Sequence, residues 1–389
     1  MKYSQHLKGA LCALFVPLMV ACGGGGGMAD LSASNGTIRY ALTDAPSCGY
    51  DAVNVTVQKV RIHQSSTAAE TDGGWSEVIL NPAKRVDLLT LTNGVLSELG
   101  QTSLPAGKYT QIRFVLASND STNPLANSVV PTGGTETALK SPSGQQSGIK
   151  ANVNVDVASN KTIDLVIDFD ACKSIVSAGN SGQYILKPVI NIIPRYLSGV
   201  SGSVDASLVS ATTSVSVQQA GVVVRSTSPD SAGKFLLQPV PPGNYTLVLT
   251  AAGRSTMVIT GVPVATETVT AVNASTAPLT LSLSSSGTLN GTAPLETLVR
   301  VLQPLTVGTT IEVTGHFVDN SGHYSYVVPV GAPSVAAYAV SPAALAFSSD
   351  TAAAAKYTLN ASFMGFADKT VALGVLGSTT TITSNFTFP

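Results

Sequence analysis

Ile149-Lys150-Ala151-Asn152-Val153-Asn154-Val155-Asp156-Val157 alternates apolar and polar side chains along its whole length. After a polar turn at Ser159-Asn160-Lys161, the alternation resumes in Ile163-Asp164-Leu165-Val166-Ile167-Asp168-Phe169. Period-2 alternation is typical of a strand that has one face on a core and one face in water. Two such strands joined by a short polar turn predict an antiparallel hairpin. The stretch therefore predicts an all-β fold.

The same pattern recurs nearer the amino terminus. Apolar residues alternate from Val53 to Val57, and the apolar phase then slips by one residue to Val60 and Ile62. A slip within one strand indicates a β-bulge, here near Gln58-Lys59. Ser, Thr, Gly and Val are abundant in the chain, and helix-length amphipathic patterns are almost absent. We expect tandem antiparallel β-sandwich domains.

Charge is scarce and balanced. Only 11% of the 389 residues are charged, and the formal net charge is −1. A chain with this composition has no basic surface to attract nucleic acid, and no polybasic segment to reinforce contact with a membrane. We therefore expect no nucleic-acid partner.

The amino terminus has the features of a secretory signal peptide. Lys2 and Lys8 precede an apolar run that ends at Ala21, and Cys22 and a run of glycines follow. The run is too short for a membrane span. Cys22 at this position resembles the lipobox cysteine of bacterial lipoproteins, which carries acyl chains such as palmitate and anchors the mature protein. Gly23 after it implies sorting to the outer membrane; the alternative is an ordinary signal peptide with an incidental cysteine.

Two cysteines remain for the folded part of an exported chain. Cys12 leaves with the signal peptide and Cys22 is the lipid site, so Cys48 and Cys172 are left. Because the periplasm is oxidising, we expect these two to form a disulfide. Zinc would need more ligands than these cysteines and the sparse histidines supply.

Turns and Gly/Ser-rich segments divide the chain. Pro105-Ala106-Gly107-Lys108-Tyr109-Thr110 and Pro241-Pro242-Gly243-Asn244-Tyr245-Thr246 share a Pro-x-Gly-x-Tyr-Thr turn that enters an apolar strand. Part of the pattern occurs again at Asn320-Ser321-Gly322-His323-Tyr324. The predicted segments are a signal peptide over 1–21, a lipidated tether over 22–35, and β-sandwiches over 36–197, 198–284 and 285–389.

Two segments resemble known families. The first sandwich contains the motifs Leu42-Thr43-Asp44-Ala45-Pro46, Val86-Asp87-Leu88-Leu89, Leu104 to Arg113, Asp168-Phe169-Asp170-Ala171 and Leu186-Lys187-Pro188-Val189. In these residues it resembles the bacterial domain of unknown function 4382, found in secreted and lipoprotein chains. This resemblance implies a fold and a cell-surface setting but no reaction.

The second sandwich resembles the carboxypeptidase regulatory-like domain, a small prealbumin-type sandwich. The likeness rests on Ala232-Gly233-Lys234-Phe235 and Val240-Pro241-Pro242-Gly243-Asn244-Tyr245. The broader carbohydrate-binding-like fold group suggests carbohydrate binding by analogy alone. Residues from Gly287 onward are expected to be a divergent relative.

One acidic cluster could hold a metal. Asp164, Asp168 and Asp170 lie on the face opposite the apolar row, and neighbours two apart on a strand are about 6.6 Å apart. Ca²⁺ would need a bend after Phe169 and further oxygen ligands. The alternative is a solvated strand face whose carboxylates pair with Arg113 or Lys150.

His316 and His323 flank a turn and share a face only if the loop between them has two residues. We expect exposed turn residues there, with a metal site as the lesser alternative.

Aromatic side chains next to turns allow two interpretations. Tyr109, Tyr245 and the single tryptophan, Trp75, could stack on sugars or could fill the edges of the sandwiches. For the tyrosines we favour burial. Asp44, before Ala45-Pro46, is interpreted as a local turn residue.

No nucleophile-elbow pattern, histidine-rich metal motif or phosphate-binding glycine loop occurs in the chain. We therefore predict a non-enzymatic, membrane-anchored binding module of the cell envelope, with polysaccharide or a cell-surface protein as the partner. The alternatives are a structural spacer without a small ligand, and a Ca²⁺-binding adhesin-like protein.

Overall fold

The computed structural model describes residues 35–44, 49–141, 144, 147–178, 181–195, 197–210, 212–340 and 343–389. The strands of the first part are β1 (Asn35–Asp44), β2 (Tyr50–His63), β3 (Ser76–Asp87), β4 (Ser97–Pro105), β5 (Gly107–Leu116), β6 (Ser128–Pro131), β7 (Thr137–Lys140), β8 (Ile149–Val157), β9 (Thr162–Phe169), β10 (Ile175–Ser177), β11 (Tyr184–Leu186) and β12 (Ile190–Pro194). A short helix, α1, spans Ala171–Ser174, and 3₁₀ turns span Leu88–Leu91, Ala206–Leu208 and Thr351–Ala353.

The remaining strands build two further units. Those of the middle unit are β13 (Gly199–Ser203), β14 (Ser214–Gln219), β15 (Val222–Thr227), β16 (Lys234–Leu237), β17 (Gly243–Thr250), β18 (Met257–Val264) and β19 (Val269–Ala271). Those that follow are β20 (Ser286–Thr292), β21 (Leu298–Pro304), β22 (Thr310–Phe317), β23 (His323–Pro329), β24 (Ser334–Ala337), β25 (Ser348–Ser349), β26 (Thr358–Ser362), β27 (Lys369–Ala372) and β28 (Thr381–Thr383). The predicted all-β class is confirmed, and no helix among the described residues is long and apolar enough to cross a membrane.

The first unit, built from β1 to β12, is a sandwich of two sheets. One has the strand order β12-β9-β1-β4, and the other has the order β10-β11-β7-β6-β2-β5-β8, with β3 also paired to β2. Between them lies a core that includes Ile38, Val55, Phe114 and Phe169. A register shift between Val57 and Lys59 confirms the predicted bulge in β2.

The predicted hairpin of β8 and β9 is wrong. β8 pairs with β5, whereas β9 pairs with β1 in parallel and with β12 in the opposite sheet. The turn between them therefore crosses from one sheet to the other. The reason is burial: β9 is buried on both faces from Leu165 to Phe169, as a central strand is, whereas β8 keeps an exposed polar face.

The C-terminal unit (β20–β23 and β26–β28) repeats the middle unit strand for strand. Their small sheets have the orders β16-β13-β19 and β23-β20-β28, each with one antiparallel and one parallel pairing. Their larger sheets contain the equivalent antiparallel runs β15-β14-β17-β18 and β22-β21-β26-β27. Both carry a register shift at the same place, between Val217 and Gln218 and between Val301 and Leu302.

A shared turn reinforces this equivalence. The carboxylates of Asp230 and Asp319 each accept N–H bonds from the residues two and four positions later, at 2.8–2.9 Å. Gly233 and Gly322 follow with φ of +75° and +77°, and a Cβ there would lie 2.4 and 2.7 Å from a backbone oxygen. The partial repeat at Asn320–Tyr324 is therefore equivalent to Ser231–Phe235, not to the Pro-x-Gly-x-Tyr-Thr turn.

One segment of the C-terminal third joins the middle unit instead. β24 and β25 lie between β23 and β26 in the chain, yet β24 pairs in parallel with Met257–Thr260 of β18. The larger sheet of the middle unit thus has the order β15-β14-β17-β18-β24-β25. The middle and C-terminal units therefore share a sheet.

Candidate interdomain site

Equivalent edge strands of the two repeats both contact the first unit near the end of β9. β15 of the middle unit carries Arg225, and β22 of the C-terminal unit carries Glu312. They meet the end of β9 and the helix α1, which carry Asp168, Asp170 and Lys173. The site is thus assembled from all three units.

Arg225 is buried between the first and middle units. Its guanidinium forms an ion pair with Asp168, and its Nη2 donates to Thr43 Oγ1 at 2.7 Å. Burial lowers the pKa of Arg225 to about 10, although the nearby Asp44 carboxylate acts in the opposite direction. A buried charge of this kind is tolerated because a partner carboxylate and a hydroxyl replace its water.

Asp44 belongs to the same buried cluster. It is 0% exposed, and its Oδ1 accepts the N–H of Ala171 at 3.0 Å. Its carboxylate therefore has a long-range role, because it fixes the start of α1. The predicted local turn at Ala45-Pro46 lies outside the described residues.

Lys173 joins the first unit to the C-terminal unit. Its Nζ lies 2.5 Å from Glu312 Oε1 and 3.5 Å from Asp170 Oδ2. Burial lowers the pKa of Lys173, but the two carboxylates together outweigh burial, so that the net direction is upward. Arg300 Nη1 lies 3.5 Å from Glu312 Oε2 and gives the carboxylate a second cation.

The middle and C-terminal units are joined by a reciprocal amide contact. The side-chain amide of Gln218 donates to the Glu312 carbonyl at 2.8 Å, and its oxygen accepts the Glu312 N–H at 2.7 Å. A side chain here satisfies the backbone of an edge strand as a neighbouring strand would. This contact fixes the position of β22 beside Lys173.

A cavity of about 370 Å³ lies at this junction. Its walls include Asp170, Lys173, Gln218, Glu312 and His316. The charged side chains in the wall are paired with one another, as the distances above show. Burial lowers the pKa of His316, whose Nδ1 lies 2.7 Å from its neighbour's carbonyl oxygen, that of Phe317. The arrangement is suited to holding three units together rather than to activating a nucleophile.

The structure does not bring the predicted metal ligands together. Asp164 pairs with Arg39 on β1, Asp168 pairs with Arg225, and Asp170 caps α1 by accepting the Lys173 N–H at 3.0 Å. Within the described ranges, no group of three or more His, Cys, Asp or Glu side chains could hold a metal ion. The predicted Ca²⁺ site is therefore wrong, because each carboxylate is committed to a different partner.

The expected wet face of β9 is also wrong. Asp168 is 3% exposed and Asp170 is 8% exposed. Asp168 pairs with Arg225 of the middle unit and Asp170 pairs with Lys173 of α1, not with Arg113 or Lys150. Arg113 instead donates to the carbonyls of Ser147 and Ala68.

His316 and His323 lie on opposed sheets. β22 pairs with β21 and β23 pairs with β20, so that the two-residue hairpin does not form. His316 is half-buried and packs against Tyr326 with 4.4 Å between ring centroids, whereas His323 is exposed. The interpretation as a turn residue therefore holds for His323 and not for His316.

The tyrosines of the shared turn are buried, as favoured. Tyr109 and Tyr245 are 2% and 5% exposed. Each hydroxyl donates to the carbonyl four residues earlier, that of Pro105 at 2.9 Å and that of Pro241 at 2.8 Å. They fasten the turn to the core and do not offer a sugar-stacking face.

Trp75 has its face occupied. The guanidinium carbons of Arg61 and Arg113 lie 4.6 and 5.3 Å from its ring centroid, and its Nε1 donates to the Ala69 carbonyl at 3.0 Å. The ring therefore pins a loop of the first unit through cation–π contacts.

Two predicted covalent features fall partly or wholly on undescribed positions. Cys172 in α1 is disulfide-bonded. Cys48, its predicted partner, and Cys22, the predicted lipid site, lie outside the described residues, so that both assignments stay predictions.

Sequence reasoning missed Arg225, Lys173, Gln218 and Glu312. Arg225 follows Val222-Val223-Val224, and Glu312 stands between Ile311 and Val313. A single charge inside an apolar strand is costly to bury alone, so that it indicates a partner from elsewhere. In a chain with few charges this signal could have marked Arg225 and Glu312 as contact residues, although not their partners.

The comparisons with known proteins fit this division. Residues 35–188 match the model of a family described as a domain of unknown function (DUF4382). The resemblance expected for the first unit is therefore confirmed, and the middle and C-terminal units lie outside the match. A search of curated proteins found no match to the chain.

Similarity to solved structures is slight. A mutant type II cohesin–X-dockerin complex from Acetivibrio cellulolyticus is 22% identical over 22% of this chain and 58% of that chain, with a TM-score of 0.19. GBS52, the minor pilin of Streptococcus agalactiae, is 12% identical over 50% of this chain and 84% of that chain, with a TM-score of 0.16. The alignment with the first spans little more than half of that chain, and TM-scores this low do not define a shared fold.

Proposed function

We propose that the chain is a lipid-anchored, non-enzymatic module of the bacterial cell envelope that presents a rigid β-structure to a surface partner. The observation that carries the proposal is the buried interdomain site. Arg225–Asp168 and Lys173–Glu312 lock both repeats onto the first unit, and β24 ties the repeats to each other. Units joined in this way act as one body rather than as beads on a flexible linker.

The anchor is proposed to be the acylated Cys22, with 22–35 as a tether and the outer membrane as the location. The disulfide of Cys172 is proposed to reach Cys48. The middle unit is proposed to be a carboxypeptidase regulatory-like domain and the C-terminal unit a divergent second copy, which their common strand order supports.

Membrane fractionation tests the anchor. Wild-type chain is expected in the membrane fraction with incorporated palmitate, whereas Cys22→Ser is expected in the soluble fraction without it. Cys12→Ser, which lies within the predicted signal peptide, is the matched control and should behave as wild type. Retention of Cys22→Ser in the membrane would contradict the proposal.

A structural spacer without a ligand is the second candidate, because the tyrosines once considered for sugar stacking are buried. Thermal unfolding with a polysaccharide panel separates the two. A ligand at a hundredfold excess over its dissociation constant stabilises the folded state by about 2.7 kcal/mol and raises the melting temperature. A rise would support carbohydrate binding, and no rise would leave a protein partner or a spacer.

A further inference from the structure

The repeat predicts an occupant for one open sheet edge. In the middle unit, β24 pairs in parallel with Met257–Thr260 of β18. In the middle unit Leu247 of β17 pairs with Ile259 of β18, and in the C-terminal unit Leu359 of β26 pairs with Val371 of β27. β27 is therefore equivalent to this part of β18, and Lys369–Ala372 corresponds to Met257–Thr260. Among the described strands, β27 pairs with β26 alone.

Burial shows the same contrast. Val258 and Ile259 are 0% exposed, whereas all four residues of β27 are exposed and Val371, the equivalent of Ile259, is 36% exposed. A lysine often blocks such an edge, but the Lys369 side chain turns away. Its ammonium donates to the Thr387 carbonyl and lies 5.1 Å from the Phe388 ring centroid.

The loop before β27 is also more apolar than its counterpart. Phe363-Met364-Gly365-Phe366 stands where the middle unit has Ala251-Ala252-Gly253-Arg254. Both loops have a left-handed glycine, and in both the fourth residue donates its N–H to the carbonyl of the first. In the middle unit this loop contacts the segment that leads into the next unit, through Ser284 N–H to the Gly253 carbonyl. In the C-terminal unit the rings of Phe363 and Phe366 contact Phe388, while Met364 is 90% exposed and Phe366 is 41% exposed.

We propose that β27 accepts an extended strand of another protein, in parallel, and that the Phe363–Phe366 loop packs against that partner. Backbone bonds supply affinity in strand addition, and alternate side chains supply specificity. The partner strand should resemble β24, with small and β-branched residues. A second copy of this chain is not the assigned occupant, because its β24 already pairs with its own β18. The inference names the partner class of the proposed function and rests on it only for the cellular setting.

Amide hydrogen exchange tests the proposal on the chain from Ser34 to Pro389, which retains every described residue and lacks the lipid site. The probe is a synthetic peptide with the sequence of residues 332–340. When the peptide reaches about nine times its dissociation constant, exchange of the edge-facing amides of Thr370 and Ala372 should slow about tenfold. A fusion that appends the same segment after Pro389 through a Gly/Ser linker of about eight residues keeps the test informative for weak binding, since tethering supplies millimolar effective concentration.

Three controls are matched to this strand. Thr370→Pro removes an N–H at the position equivalent to Val258 and should abolish the slowing, whereas Thr370→Val keeps it. A peptide with proline in place of Val335 should not slow the exchange. This peptide replaces the Thr370→Pro control if that variant does not fold.

No slowing with either the peptide or the fusion would overturn the proposal, and so would equal slowing in Thr370→Pro. Concentration-dependent protection without peptide would show a second copy at the edge and would overturn the assignment to another protein. None of these outcomes depends on Cys22. Failure of the anchor experiment can therefore be distinguished from failure of the strand-addition experiment.

Discussion

The middle and C-terminal units have one fold and two different surfaces. They share strand order, the register shift in β14 and β21, and the Asp230 and Asp319 turns. Equivalent positions of their edge strands, however, carry different residues. Arg225 of β15 corresponds to Thr314 of β22, and Val223 corresponds to Glu312. The fold thus depends on turns, bulges and core positions, while the outward-facing positions of an edge strand differ between the repeats and determine which residues each repeat contacts.

The two repeats contact residues of opposite charge in the first unit. Arg225 of the middle unit meets an aspartate of the first unit, and Glu312 of the C-terminal unit meets a lysine. Exchange of the two repeats would place like charges or unpaired charges in a buried contact, which is costly. The charges on these two edge strands therefore favour the middle unit beside Asp168 and the C-terminal unit beside Lys173.

The largest expected effect follows removal of Arg225. We predict that Arg225→Met lowers the free energy of unfolding by about 3–5 kcal/mol, because Asp168 is left buried without its cation. Urea unfolding followed by circular dichroism measures the change. Addition of Asp168→Leu should restore most of the loss, whereas Arg39→Met, at the exposed pair with Asp164, should change little. An unchanged midpoint in Arg225→Met would show that the contact does not hold the units together.

Lys173→Met should have a smaller effect. We predict a loss of about 2 kcal/mol, less than for Arg225, because Arg300 remains 3.5 Å from Glu312 as a second cation. The same urea series measures it, and Lys173→Met with Glu312→Leu should recover the stability. A loss equal to that of Arg225→Met would mean that Arg300 does not compensate.

The shared turn predicts equal penalties in both repeats. Gly233→Ala and Gly322→Ala should each cost about 2 kcal/mol or more, because the left-handed backbone and the contact with a carbonyl oxygen both oppose a Cβ. Gly253→Ala and Gly365→Ala are matched controls, since their φ is also positive but nothing lies within 4 Å; about 1 kcal/mol is expected. Thermal unfolding measures the loss of stability in each variant. A large difference between the losses in Gly233→Ala and Gly322→Ala would argue against equivalent turns.

The smallest effect is a difference in acid sensitivity. Because burial lowers the pKa of His316, the unfolded chain binds a proton more readily, and stability falls as pH drops below the ordinary value of about 6.5. The middle unit has Thr227 at this position. We predict that His316→Thr removes this loss of stability between pH 7 and pH 5. Identical pH profiles of the two proteins would contradict this.

Local pattern predicted much of the fold. The bulge near Lys59, the exposed face of β8 and the burial of Tyr109 and Tyr245 all depend on residues close in sequence, and each is confirmed. The pairing of β9 was missed, because its aspartates resemble a solvent face until another unit covers them. Periodicity reports which residues share a face, not what lies against that face.

The interdomain site could not be predicted for the same reason. Arg225 and Asp168 are 57 residues apart in sequence and belong to different units. The apolar surroundings of Arg225 indicate a buried partner but do not say which of several carboxylates it is. Of the candidate Ca²⁺ ligands, Asp168 pairs with Arg225 of the middle unit, whereas Asp164 and Asp170 pair with cations of the first unit.

Amide exchange of the unliganded chain tests most directly the claim that β18 and β27 are equivalent edges, one covered and one open. We predict that Val258 and Thr260 are protected to the level of the core, whereas Thr370 and Ala372 exchange at nearly the rate of unstructured backbone. Equal protection at the two edges in dilute solution would contradict the claim.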